Sequence, residues 1–291
     1  MFKLGDIEVH VINAGQVLVD SGGAFGLVPR ILWSRHQTPI NDWYLPMSLN
    51  CVLIKTGDNN IICDVGHGDK LTDKMRRVFQ ITYPQGTLQD GLARAGLSVE
   101  DIDIVIDTHL HGDHAGGSTT FDEDRSTIVA AFPNAEYVVQ QREYEDAMQP
   151  NERTRATYYP ENYEPLVKSG QMRLLNGDTD IVPGVRVVMM PGHTPAHTGV
   201  HIYNGEKHVL FVCDLASYAA HFEKLGWMTA YDVEPLVTLE TKRRWQQWAL
   251  ENDPIIIYPH DTTMIASRFR AHEKGEGRNI PVSAEEGAEY I

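Results

Sequence analysis

The chain has 291 residues, with 40 acidic against 25 basic side chains and a formal net charge of −15. That balance disfavours nucleic acid as a partner, because a phosphate backbone calls for a basic face. No apolar run approaches the roughly 18 residues of a membrane span. The opening Met1-Phe2-Lys3-Leu4-Gly5-Asp6 has no basic segment leading into an apolar one, so neither a membrane partner nor a secretory signal is expected.

In chain order, residues 7–12 alternate and read as a strand. The stretch 15–47 is poorly periodic and carries Gly22-Gly23-Ala24-Phe25-Gly26-Leu27-Val28-Pro29, Trp33, Trp43 and Tyr44. A loop of that length is unusual unless functional. Either it lines an apolar substrate pocket or a subunit contact, or it wraps the core edge. Strands are expected at 49–55 and 60–64 around Gly57-Asp58-Asn59-Asn60. The second ends at Asp64, a support for a metal ligand or a simple turn residue. Helices follow at 70–80 and 87–96, the latter closed by Gly96.

Ile104-Val105-Ile106 reads as a buried strand, and Thr108-His109-Leu110-His111-Gly112-Asp113-His114-Ala115-Gly116-Gly117 follows it directly. A strand at 135–140 and a helix at 142–148 come next, and 150–165 is a polar, Tyr/Pro-rich stretch expected to be an exposed excursion. The strand 185–190 ends in Pro191-Gly192-His193-Thr194-Pro195-Ala196-His197-Thr198. Strands at 199–203 and 208–213 follow, the latter ending at Asp214. The helix 238–252 sets Leu239, Trp245, Trp248 and Ala249 near one face, which reads as core packing. The strand 254–258 runs into Pro259-His260-Asp261, and the charged, Gly-rich tail 274–291 is expected to be loose.

The hydrophobic fraction of 42% suffices for a sizeable core, and 1–291 is expected to form one domain. Cys51, Cys63 and Cys213 are odd in number and far apart, which predicts buried reduced thiols in a cytoplasmic protein. Strand alternation should turn Cys213 away from the face of Asp214.

The chemistry gathers at strand ends. His109, His193, Asp214 and His260 each follow an apolar run, and α/β folds place sites where such ends meet. In extended backbone His109 and His111 point the same way and can share a metal. Gly112 permits a bend that turns Asp113 and His114 toward a second metal, and Gly116 and Gly117 let backbone pass close by. The candidate ligands are therefore His109, His111, Asp113, His114, His193, Asp214 and His260. Five imidazoles and two carboxylates exceed one tetrahedral ion and suit two divalent ions with Asp214 shared. Zinc fits best, and iron, cobalt or manganese are also compatible. Such a pair would hold a water between them and lower its pKa to roughly 7, giving the nucleophile. Asp113 is placed to hydrogen-bond that water.

These motifs, H-x-H-x-D-H at 109–114, G-H-T-P-x-H at 192–197, Asp214 and His260, resemble the metallo-β-lactamase superfamily in residue type and chain order. The resemblance implies an α/β fold, a four-layered αββα sandwich with the site at one rim of its sheets. It also implies that His109, His111 and His193 bind one metal, that Asp113, His114 and His260 bind the other, and that Asp214 bridges. The main β-lactamase branch lacks the bridging Asp. Flavodiiron-type members have Glu where this chain has His111, which argues against a non-hydrolytic di-iron redox protein. Glyoxalase-II-type thioesterases add basic C-terminal contacts not seen here.

Residues 23–29, Trp33 and Pro259-His260-Asp261 look most like the quorum-quenching N-acyl-homoserine lactone lactonases. That branch implies lactone opening by a metal-bridging hydroxide, with Phe25, Leu27 and Trp33 as an acyl-chain wall. It also implies a Tyr beyond the bridging Asp that contacts the substrate carbonyl. Tyr218, at an unusual spacing, and His221 in the same stretch are the candidates. A phosphotriesterase or other ester hydrolase on the same metals is the alternative, and a homodimer is compatible with the apolar N-terminal segment.

Overall fold

The computed structural model describes residues 1–272, 277–283, 286–287 and 290–291. Among these, β1 (Phe2–Leu4), β2 (Ile7–Asp20), β3 (Tyr44–Lys55), β4 (Asn60–Cys63) and β5 (Ile104–Ile106) lie side by side in chain order. A small pair, β6 (Thr119–Phe121) with β7 (Ile128–Ala130), precedes β8 (Glu136–Gln140) and β9 (Met172–Leu175), which complete the first sheet beside β5. The second sheet takes β10 (Thr179–Val182), β11 (Val185–Met189), β12 (Thr198–Asn204), β13 (Lys207–Phe211), β14 (Ile255–Ile257), β15 (Ala266–Ala271) and β16 (Gly277–Pro281), again in chain order. The connections carry α1 (Ser21–Phe25), α2 (Arg30–Trp33), α3 (Asp73–Phe79), α4 (Leu88–Arg94), α5 (Gly112–Ala115), α6 (Gln141–Met148), α7 (Glu164–Ser169), α8 (Ala219–Glu223) and α9 (Pro235–Asn252).

Period-two burial stacks these elements in four layers. Ile61 and Cys63 of β4, Ile104 and Ile106 of β5, Val209 and Phe211 of β13 and Ile257 of β14 meet between the sheets. The intervening Ile62 and Val105 face the other way, onto Leu88 and Leu92 of α4 and Ala147 of α6. Leu210 and Ile256 likewise face Phe222 of α8 and Trp245 and Ala249 of α9. Each fully buried aliphatic of this kind contributes about 1.5–3 kcal/mol. The architecture is the αββα sandwich that the motifs implied.

The strand directions aim the site. β4, β5, β8 and β9 are parallel, as are β13 and β14. β12 is antiparallel to both β11 and β13, so β11 runs with β13. The C-terminal ends of β4 and β5 thus share one edge of the first sheet and those of β11, β13 and β14 one edge of the second, and the two edges meet at one rim of the sandwich.

Three expectations are corrected. The stretch 15–47 is strand at both ends, in β2 up to Asp20 and in β3 from Tyr44. β2 continues past a register shift between Asn13 and Gln16, and Gln16 to Asp20 pair with Ser48 to Tyr44 of β3. The shift breaks the alternation, and β2 is buried on both faces for most of its length, so no period was visible. Only the tip, with α1 and α2, is irregular. The tail is not loose where it is described: β16 pairs with β15, and Tyr290 bridges Val11 and lies 3.5 Å from Ser48 Oγ. Residues 273–276, 284–285 and 288–289 of that tail region lie outside the described residues. The excursion 150–165 is anchored, because Tyr158 and Tyr163 are buried and donate their hydroxyls to Glu143 and to the Ala147 carbonyl. Among the described residues no helix is long and apolar enough to cross a membrane.

Candidate metal centre

β5 ends at Ile106, and the chain bends at Thr108 and His109 before reaching His111, which is extended and precedes α5 at Gly112. His109 Nε2 and His193 Nε2 each lie 3.1 Å from His111 Nδ1. Across the centre, His114 Nε2 and His260 Nε2 lie 3.5 and 3.6 Å from Asp113 Oδ2. Asp214 stands between the two groups. Its Oδ2 is 3.2 Å from His193 Nε2 and 3.4 Å from His114 Nε2, and its Oδ1 is 3.1 Å from His260 Nε2. All seven side chains singled out in the sequence come together.

The arrangement fits cations. His109–His111–His193 and Asp113–His114–His260 each converge closely enough to hold an ion. His114 Nε2 is buried and has no hydrogen-bond partner. A neutral imidazole has a single N–H, so nitrogens crowded at 3.1 Å leave lone pairs aimed at one another. Burial and then His114 push His109 well below the usual imidazole pKa, and burial and then His193 push His111 down to about 3. Burial opposes ionisation of Asp113, but His114 and His260 overcome it and draw the carboxyl to about 2. Burial works against a charge on His114 and His193, but their anionic neighbours, Asp214 among them, push both rings up. A cation would take the place of those protons, and imidazoles around ionised carboxylates are the donor set that zinc, iron, cobalt or manganese takes.

A set of outer contacts fixes the outward edges of these rings. Asp64 accepts from Thr108 N at 2.9 Å and pairs with His114 Nδ1 at 2.9 Å, so it supports a candidate ligand. Asp232 pairs with His193 Nδ1 at 3.0 Å, and the Ser48 carbonyl with His260 Nδ1 at 2.8 Å. His197 is bonded through Nδ1 to the Met190 carbonyl and accepts the Asp214 N–H at Nε2. Glu143, wholly buried, accepts from Leu110 N, Tyr158 Oη and Thr194 Oγ1, tying the loops after β5 and β11 to the excursion. Cys213 sits in the inter-sheet core, yet its Sγ also lies 2.9 Å from Thr108 Oγ1 and 3.3 Å from Asp64 Oδ2. Strand alternation fails for it because its φ is +45°, which turns the side chain back toward the rim. A Cβ on Gly116 would collide with the His67 carbonyl, so the loop after α5 needs glycine to pack there.

A model of the metallo-beta-lactamase superfamily matches residues 45–244. The chain belongs to the metallo-β-lactamase superfamily. It is a metal-dependent hydrolase. An N-acyl homoserine lactonase of Bacillus cereus is 28% identical over 267 residues, covering 87% of this chain and 93% of the relative. A probable metal-dependent hydrolase from Staphylococcus aureus has a TM-score of 0.87 at 29% identity, covering 97% of this chain and 99% of the other. An N-acyl homoserine lactone hydrolase, solved with N-hexanoyl-L-homoserine at its catalytic metal centre, gives 0.64 at 26%, covering 87% and 93%.

A cleft of about 290 Å³ opens onto the centre. Val17, Val19 and Ala24 of the β2–β3 arm, Met47 and Phe79 supply apolar lining, and Thr157, Tyr159, Thr229 and Tyr231 supply hydroxyl-bearing side chains. His111, Asp113, His193, Asp214 and His260 also line it. The wall expected from Phe25, Leu27 and Trp33 is corrected. Phe25 and Trp33 stack on each other at 5.2 Å in a small buried cluster with Tyr218, and Leu27 is fully exposed. The arm does line the cleft, but through Val17, Leu18 and Val19 of β2, Ala24 of α1 and Met47 of β3. Tyr218 reaches the lining, and its hydroxyl donates to the Pro46 carbonyl at 3.4 Å. His221 does not reach it: its ring lies edge-on to Phe25 at 4.8 Å, with neither nitrogen partnered.

Asp232, Glu143, His197, His67 and Tyr231 were missed by sequence reading. His197 lies within the G-H-T-P-x-H motif, but the motif alone does not mark it as a support for Asp214. The others are single polar residues on ordinary elements, and no spacing marks them.

Proposed function

We propose that the protein is a dinuclear-metal lactonase that opens N-acyl-homoserine lactones. One observation carries the reading: two metal-binding trios with Asp214 between them border a cleft whose remaining lining, His67 apart, is apolar and hydroxylic, with no Lys or Arg among the described lining residues. Such a lining suits a neutral ester attached to an apolar chain, and it offers no partner to an anionic phosphomonoester or a glutathione carboxylate. The lactonase relatives support the same substrate class.

In this reading His109, His111 and His193 would hold one ion and Asp113, His114 and His260 the second, with Asp214 placed to serve either. Two divalent cations, zinc foremost, would supply Lewis acidity and lower the pKa of a bound water to roughly 7. Asp113, about a fifth of whose side chain is exposed, accepts a hydrogen bond from that water and orients it. Water adds across the acyl C–O bond, leaving a carboxylate and a free hydroxyl. The Tyr218 hydroxyl exchanges its long bond to Pro46 for the substrate carbonyl. Asp113 keeps a second carboxylate oxygen with which to pass the proton from that water to the leaving oxygen, solvent completing the exchange. The cytoplasmic location and a homodimer remain part of the proposal, and sedimentation of the purified protein tests the latter.

The deciding assay gives metal-loaded protein a panel of acyl-homoserine lactones and a paraoxon-like triester. Ring opening at a kcat/KM well above that for the triester is expected. Turnover of the triester alone would replace the reading with the phosphotriesterase, and turnover of neither would end it.

A further inference from the structure

Six side-chain hydroxyls stand among the described residues that line the cleft, and five of them donate within the protein. Thr157 donates to the Thr154 carbonyl at 2.8 Å, Tyr159 to the Ala156 carbonyl at 3.0 Å and Thr229 to Asp232 Oδ1 at 2.7 Å. Ser217 donates to Asp214 Oδ1 at 3.0 Å, and Tyr218 makes its long bond to Pro46. The sixth hydroxyl, that of Tyr231, is bonded to none of the described residues. Tyr231 is 43% exposed, so it stands open where the other tyrosine deep in the cleft, Tyr218, is buried.

The backbone that carries this free hydroxyl is held from three sides. Ala230 N donates to the Gly23 carbonyl of α1 at 2.9 Å, and Tyr231 N donates to Thr229 Oγ1 at 3.2 Å. Arg153 Nη2 donates to the carbonyls on either side, that of Ala230 at 2.8 Å and that of Asp232 at 3.0 Å. Asp232 in turn braces His193 Nδ1, so the base of Tyr231 is next in the chain to the support of a candidate metal ligand. Its far end reaches the arm, because a Cβ on Gly23 would collide with the Tyr231 hydroxyl. Ala24, the next residue of α1, joins Val17 and Val19 in the apolar lining. The hydroxyl therefore marks the boundary between the metal centre and the apolar arm. A donor fixed on rigid backbone loses little freedom when a substrate acceptor reaches it.

We infer that the Tyr231 hydroxyl donates a hydrogen bond to the amide carbonyl of an N-acyl lactone, and so selects such lactones over alkyl lactones that lack the amide. The inference rests on the lactonase reading and deepens it. In that reading the ester carbonyl belongs to the ions and to Tyr218. An N-acyl amino lactone carries its second carbonyl between the ring and the acyl chain, and Tyr231 stands between the centre and the arm. An alkyl lactone offers nothing to the hydroxyl, which then stays with solvent.

The test gives wild type and Tyr231→Phe, which keeps the ring and removes the hydroxyl, three lactones. N-hexanoyl-homoserine lactone has the amide carbonyl and the N–H, its N-methyl analogue has the carbonyl alone, and a γ-alkyl lactone has neither. Tyr231→Phe should lose about threefold to tenfold in kcat/KM on both amides, mainly through KM, and change little on the alkyl lactone. Gly23→Ala meets only the free end of the Tyr231 side chain and no backbone. It should therefore fold, displace the hydroxyl without removing it, and show the same selective loss. Metal content and melting temperature check that both variants fold and load. Equal losses on all three lactones in Tyr231→Phe, or no loss on either amide, would mean that Tyr231 only packs, and would overturn the inference while leaving the lactonase intact. A loss confined to the N–H substrate would show the hydroxyl accepting from the amide nitrogen instead, and overturns it as well. Absence of any lactone turnover in the wild type would overturn the lactonase reading, and this inference with it.

Discussion

The metal rim and the β2–β3 arm face each other across one cleft and are built in opposite ways. On the rim, three of the donor rings have an assigned partner behind them: Asp64 for His114, Asp232 for His193, the Ser48 carbonyl for His260. The arm has few such bonds at the cleft. Its side chains are held by shape, with Phe25 between Trp33, Tyr218 and His221, and its tip leaves Leu27, Ile31 and Trp43 exposed. Directional bonding suits a centre that must keep its atoms within fractions of an ångström. Apolar packing suits a wall that must exclude water and accept chains of more than one shape.

The largest effect should come from the rim's central residue. Asp214→Ala should cut turnover on the order of 10²–10³-fold and remove one metal equivalent, read by elemental analysis. Two bound metals with unchanged turnover would break the shared-ligand assignment. Next, Asp232→Ala, which lies behind His193 and outside the cleft lining, should weaken metal binding roughly 10–100-fold through that ring. A metal titration against a chelator measures it, and no change would show that the outer contact is idle.

Acidification should also act on the rim first. Burial, then neighbouring His193, holds His111 at about 3 and His197 at about 4, against about 6.5 in an unfolded chain. The unfolded state therefore binds the extra protons. The stability these two rings contribute is full above about 6.5 and falls as pH drops, at up to about 1.4 kcal/mol per pH unit per ring, until about 4 for His197 and about 3 for His111. His114 and His193, pushed up, contribute theirs below about 6.5 and lose it as pH rises. Melting of metal-free protein between about pH 7 and 5 reads this, and a flat profile would contradict it.

The arm offers the smaller contrasts. Phe25→Ala should cost about 3–5 kcal/mol of stability by opening a cavity, measured by denaturant titration, with the metal content unchanged. Leu27→Ser, two residues along, should fall within about 0.5 kcal/mol and leave turnover of any lactone as it was. Loss of activity there would restore the sequence's original view of Leu27.

The seven donors were legible because imidazole and carboxylate side chains at tight spacing after apolar strands have few other uses. His109 and His111 at i and i+2, the bend at Gly112, and a polar residue at the end of each of several strands are local signals. The support was not legible. Asp232 looks like any loop acid until the fold brings it to His193, and Glu143 looks like a surface residue of an amphipathic helix. His67 carries no motif at all.

By itself the sequence determined the donor set, the strand ends that carry it, and the αββα class that its motifs resemble, because these depend on residue chemistry and short-range periodicity. Only the tertiary structure decided which apolar residues meet the substrate cleft. Phe25, Leu27 and Val19 are equally hydrophobic as letters. One fills a core, one faces water and one lines the cleft, because a register shift in β2 and the fold of the tip set where each side chain points.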